Sequence, residues 1–122
     1  MISTGRYIVL EAVFELEKGD KAAIDEKIAE LTFKRESSQP LELPSCGSTF
    51  KRPEGYFTGK LVMDAGLRGA RVGGASVSEK HCGFVVNDKH GTAADVLGVI
   101  ELVKKTVLEK YGVELQCEVK II

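Results

Sequence analysis

Five apolar side chains, Val96, Ile100, Val103, Val107 and Tyr111, recur at helical steps of four and three. That spacing stacks them into one stripe along an α-helix. Thr92 precedes the stripe as an N-cap, with Asp95 three residues later in the manner of a capping box. Gly112 follows as a C-terminal cap. Directly after it the period drops to two: Val113, Leu115, Cys117, Val119 and Ile121 alternate with Glu114, Gln116, Glu118 and Lys120. This is the pattern of a strand with one buried face. A striped helix and a one-faced strand need each other, or a common sheet, to bury their apolar sides.

The same periodicities recur upstream. Over 7–17, Ile8, Leu10, Ala12, Phe14 and Leu16 alternate with Val9, Glu11, Val13, Glu15 and Glu17, which predicts another strand. Asp20 is placed to cap a helix over 21–35, with Ile24, Ile28 and Leu31 turned inward. "SSQPLELP" reads as an irregular connector. "GYFTGKLVMDAGL" reads as a short helix with Phe57, Leu61, Val62 and Ala65 inward and Gly66 as a left-handed cap. "RGARVGGASVSEKHCGFVVND" reads as two or three short strands, with Gly73 and Gly74 marking a bulge or a close backbone approach. The order does not repeat a strand-helix unit. The expected class is therefore α+β, a small mixed sheet with two longer helices and one short helix.

Bulk properties narrow the function. The chain has 122 residues, enough for one core without metal or disulfide support. A net charge of -1 excludes binding nucleic acid through an overall basic field. Any phosphate must meet a local cluster of cations. Cys46, Cys82 and Cys117 are odd in number and show no C-x-x-C pairing, which fits a reducing cytoplasm better than a zinc site or a disulfide framework. The first apolar run is too short to span a membrane and lacks the features of a signal peptide.

Chemistry concentrates in "PSCGSTFKRP", residues 44–53. Gly47, Pro44 and Pro53 exclude a helix. Either this is a plain turn, which the composition favours, or it is a loop that presents Ser48 and the Lys51–Arg52 pair to a ligand. His90 in "NDKHG" reads as a surface turn. His81 reads as a structural or supporting residue ahead of a direct catalyst. Spacing alone makes Glu118 part of a solvated strand face.

"PSCGSTFKRPEGYFTGKL", "AGLRGARVGGASVSEKHCGFVVN" and "GTAADVLGVIELVKKTVLEKYGVELQCEVKII", in this order, resemble the C-terminal part of the MurB family, the UDP-N-acetylenolpyruvoylglucosamine reductases of bacterial peptidoglycan synthesis. The resemblance runs from Tyr7 onward. It implies that Ser48, in the G-S-x-F-K segment, donates a proton to the substrate, and that Glu118, in the closing E-V-K segment, assists. It implies substrate binding for Lys51 and Arg52, although Arg52 stands where other members carry Asn. Cys46 stands where Ala is familiar and is assigned to packing.

The resemblance further implies a cytoplasmic enzyme that uses FAD and NADPH to reduce UDP-N-acetylglucosamine enolpyruvate. The family's glycine-rich flavin-binding domain has no counterpart in this sequence. Residues 1–19 are accordingly expected to be a residual strand of that domain, 20–44 a helix and connector, and 45–122 the substrate-binding domain. No cofactor is expected on this part alone. Apart from that resemblance, two other readings stand: a nucleotide- or phosphate-binding module built on the Lys51–Arg52 loop and the Gly73–Gly74 turn, or an assembly domain whose strand at 7–17 pairs with another copy.

Overall fold

A computed structural model describes residues 7–122. They divide into two compact units, one ending at Leu31 and the other spanning Thr32–Ile122, each described by itself.

In the first unit, 7–17 forms no ladder, and Tyr7, Ile8, Leu10, Phe14 and Leu16 are all exposed. The strand expected there is corrected to irregular chain. Alternation specifies which side chains would share a face, but a strand also needs a neighbour to satisfy its amides. Helix α1 (Lys21–Ser38) begins where expected, and its residues from Thr32 onward belong to the second unit. Asp20 caps it by accepting the Ala23 N–H at 3.1 Å. Its apolar positions are not buried, however: Ile24, Ile28 and Leu31 all lie exposed. Its surface carries ion pairs instead, Lys21 with Asp25 and Lys27 with Glu30.

The second unit is built on a four-stranded antiparallel sheet: β1 (Ser45–Ser48), β2 (Arg71–Val72), β3 (Ala75–Val77) and β4 (Phe84–Asn87), in the order β1-β4-β3-β2. The α+β class with two longer helices and one short helix holds, with every ladder antiparallel rather than mixed. Helix α3 (Ala93–Tyr111) covers the sheet and buries Val99, Ile100, Val103 and Val107. Tyr111, expected on that stripe, lies at the helix end and is 41% exposed. The capping box forms in full, with Thr92 Oγ1 accepting the Asp95 N–H and the Asp95 carboxylate accepting the Thr92 N–H. Gly112 takes the left-handed conformation, φ +66°.

Helix α2 (Thr58–Asp64) adds Leu61 and Val62 to the same core. Phe57 is not inward as expected. It precedes the first helical turn, is 63% exposed, and lies beneath the Arg52 guanidinium at 4.1 Å. Gly73 and Gly74 form the β2–β3 turn. A Cβ on Gly74 would stand 2.2 Å from the Gly91 nitrogen, which is the close approach the paired glycines predict.

The closing strand is reduced to one bridge, Phe50 with Cys117. The Lys51 N–H donates to the Gln116 carbonyl at 2.8 Å and the Glu118 N–H to the Thr49 carbonyl at 2.9 Å. Alternation survives in the burial: Leu115 is 1% exposed, while Glu114, Gln116 and Glu118 face outward.

Candidate functional site

The opening motif is neither a plain turn nor a free loop. Its first half is edge strand β1, and the second half pairs with the closing segment. Between Ser45 and Ser48 the chain advances three residues while its partner β4 retreats two, from Val86 to Phe84. The extra residue makes a β-bulge, and Gly47 accommodates it at φ +78°. A bulge re-aims the side chain that follows it, here Ser48. Its hydroxyl makes only a long contact, 3.5 Å, to the Phe50 carbonyl. The proton is thus available to a better acceptor. Cys46, on the bulge, is exposed, which corrects the packing role expected for it. Thr49, next in line, turns the other way, is 2% exposed, and accepts the Val85 N–H at 3.0 Å.

Ser48 lines a cavity of about 510 Å³, within the range of small-molecule sites. Arg52, Lys60, Arg68, Lys80 and His81 line it too, and no carboxylate does. The four cations come from four separate segments. Lys60 pairs with Asp64 at 2.6 Å, and that hydrogen bond is the main reason its ammonium holds its proton more tightly than usual. Lys80 donates to the Glu36 carbonyl at 2.6 Å and approaches Glu42 at 3.5 Å. Arg52 donates to the Tyr56 carbonyl at 3.2 Å and Arg68 to the Met63 sulfur at 2.9 Å. Among the described residues neither guanidinium meets a carboxylate. An anion entering this cavity meets two uncompensated positive charges.

His81 shares this wall and, with Ser48, lines a second cavity of about 670 Å³ floored by Leu41, Leu43 and Phe84. The Gly83 N–H donates to His81 Nδ1 at 3.0 Å. With Nδ1 an acceptor, the neutral ring carries its proton on Nε2. Phe84 packs against the ring with centroids 4.9 Å apart. A Cβ on Gly83 would lie 2.9 Å from the imidazole and one on Gly59 3.2 Å, so both glycines leave the ring its space. The structural role expected for His81 is present. His90, as expected, sits exposed in a turn, at φ +53°.

The expected site residues are only partly gathered. Ser48 and Arg52 meet in the 510 Å³ cavity. Lys51 is exposed and stands outside that cavity, on a smaller hollow of about 280 Å³ that it lines with Arg52, Glu54 and Glu114. Glu118 is exposed and absent from the Ser48 cavity wall, although its backbone is bound to Thr49, the residue next to Ser48. Lys60, Arg68 and Lys80 escaped the sequence reading. Each looks like an ordinary surface charge in its own segment, and no spacing links them. Among the described residues no three His, Cys, Asp or Glu side chains are grouped to hold a metal ion, and no helix is long and apolar enough to cross a membrane.

The model of the UDP-N-acetylenolpyruvoylglucosamine reductase C-terminal domain matches residues 39–122. The UDP-N-acetylenolpyruvoylglucosamine reductase of Exiguobacterium sibiricum is 59% identical over 120 residues, covering 98% of this chain and 40% of that protein. That of Clostridium perfringens is 62% identical over 116 residues, covering 95% and 38%. The crystal structure of the MurB reductase from Thermus caldophilus superposes with a TM-score of 0.70 at 32% identity, covering 87% of this chain and 37% of that one. The chain thus spans about two fifths of the length of these curated relatives. With the fold, the sequence and the matched residues in agreement, the chain belongs to the family of UDP-N-acetylenolpyruvoylglucosamine reductase C-terminal domains.

Proposed function

We propose that this chain forms the substrate-facing part of a UDP-N-acetylenolpyruvoylglucosamine reductase, converting UDP-N-acetylglucosamine enolpyruvate to UDP-N-acetylmuramate. The observation that carries the reading is the cavity where a loosely bonded serine hydroxyl meets four cations and no carboxylate. Such a substrate brings a diphosphate and an enolpyruvyl carboxylate. Both are anions that guanidinium and ammonium groups recognise.

Reduction of the enolpyruvyl double bond adds hydride to one carbon and a proton to its neighbour. The proton is this chain's part. A carbanion next to a carboxylate is basic enough to take the Ser48 proton, and cations on the cavity wall stabilise the charge that develops there. Arg52 is the cation of the opening motif that shares the wall with Ser48. Lys51 and Glu118 stand outside that wall, Glu118 with its backbone tied to the residue beside Ser48. In the proposed site they act from a face that a further domain completes. Glu118 there orients the donor.

Hydride transfer is FAD chemistry, recharged by NADPH. The cations able to meet a flavin diphosphate are those of the Ser48 cavity, and in the proposed site these hold the anions of the substrate. The flavin is assigned to a separate domain.

In a full-length reductase carrying this chain, Ser48→Ala is expected to lower kcat by roughly 10² to 10⁴ while NADPH still reduces the flavin at the original rate. Unchanged turnover would remove Ser48 from the reaction. Equal calorimetric affinity for unrelated nucleotides, without dependence on the enolpyruvyl sugar, would leave a plain nucleotide-binding module.

A further inference from the structure

Lys80 belongs to two cavities. On one side is the Ser48 cavity, lined by cations and no carboxylate. On the other is a cavity of about 390 Å³ that Lys80 lines with Glu42, Glu79 and the bonded pair Arg71 and Asp88. Its ammonium has three N–H donors. One is well used, by the Glu36 carbonyl at 2.6 Å in the last turn of α1. Another is poorly used: the Glu42 carboxylate is 3.5 Å away, and that side chain is 61% exposed against 34% for Lys80.

We infer that Glu42 is a built-in competitor for Lys80 and sets the affinity of the cation-lined cavity for anions. A bound anion takes the place of the Glu42 carboxylate beside Lys80. The Glu36 carbonyl, which has the shorter bond, keeps its donor. Glu42 lies in the connector between α1 and β1, outside the Ser48 cavity, and touches no reacting group. Its pull on Lys80 is that of an exposed ion pair, so its removal strengthens anion binding only modestly. The inference rests on the anion-binding half of the proposed function and does not require the anion to be the UDP-sugar.

Titration of the chain with inorganic pyrophosphate by calorimetry at low salt tests it. Glu42→Gln is expected to tighten binding about two- to fivefold, the range of one exposed ion pair. Lys80→Gln weakens binding, and adding Glu42→Gln to it restores nothing. Glu79→Gln removes the same charge from the same cavity without a Lys80 contact and leaves affinity unchanged. The inference is overturned if Glu42→Gln has no effect, if it tightens binding as much in the Lys80→Gln background, if Glu79→Gln matches it, or if no pyrophosphate binds. Pyrophosphate binding tuned by Glu42, together with unchanged turnover of Ser48→Ala in the full-length reductase, would uphold this inference and defeat the reductase reading.

Discussion

The Thr49 carbonyl accepts the Glu118 N–H at 2.9 Å, joining two residues that stand far apart in the chain. The same Thr49 donates its own N–H to the Gly83 carbonyl at 2.9 Å and accepts the Val85 N–H on its hydroxyl at 3.0 Å. One buried residue therefore ties the closing segment, the opening motif and β4 together, directly beside Ser48.

Thr49→Val keeps the shape of the side chain but leaves the Val85 N–H without its acceptor. A buried donor stripped of its partner costs about 1–3 kcal/mol. Urea unfolding should report a loss in this range. An unchanged midpoint would mean that the Val85 amide finds another partner.

Leu115 is 1% exposed although its segment forms a single bridge. Its burial adds to the two backbone hydrogen bonds, Lys51 to Gln116 and Glu118 to Thr49, that hold the chain end in place. Leu115→Ala should therefore lower stability by about 2–5 kcal/mol, the usual cost of a core leucine truncation. Ile121→Ala, at a position 65% exposed, should change the unfolding midpoint little.

Gly83→Ala would bring a methyl group to 2.9 Å from the His81 ring. The imidazole must then move from its contact with Phe84. The expected cost is about 1–3 kcal/mol of stability, as for other overpacked sites. The imidazole nitrogen resonances should also shift, because the Gly83 N–H no longer meets Nδ1. Unshifted resonances would show that the backbone yields instead.

The Asp95 carboxylate is held below its ordinary 3.8, first by the Thr92 backbone N–H and then by that of Gly74. Asp88 is held below the same value, mainly by its hydrogen bonds to Arg71. A carboxylate with a lowered folded-state pKa contributes stability above its unfolded value and loses it as pH falls through the folded one. Stability should hold across neutral pH and decline as pH falls below about 3.8. Thermal unfolding from pH 7 to pH 2 measures this. Asp95→Ala should flatten the decline while lowering stability at pH 7.

The helix ends were the most legible part of the chain. Asp20, Thr92 with Asp95, Gly66 and Gly112 act as the local reading expects, because capping is decided within four residues. The α3 stripe was legible for a similar reason, since helical period and burial coincide wherever a sheet lies beneath. Ile24, Ile28 and Leu31 carry the same periodicity yet lie exposed, and 7–17 alternates without pairing. Periodicity specifies a face and leaves open what, if anything, covers it.

The candidate site divides along the same line. Gly47, Pro44 and Pro53 lie within one short motif, so the exclusion of a helix there was readable from the sequence. The convergence of Arg52, Lys60, Arg68 and Lys80 on one cavity was not, because single charges in separate segments carry no shared period. The amino-acid order by itself determined where helices begin and end and which side chains share a face. Only the tertiary structure decided which cations surround the Ser48 hydroxyl, that Arg52 reaches its cavity while Lys51 does not, and that Thr49 joins the two ends of the domain. Local preferences act over a few residues, whereas a cavity wall exists only once distant segments pack against a common core.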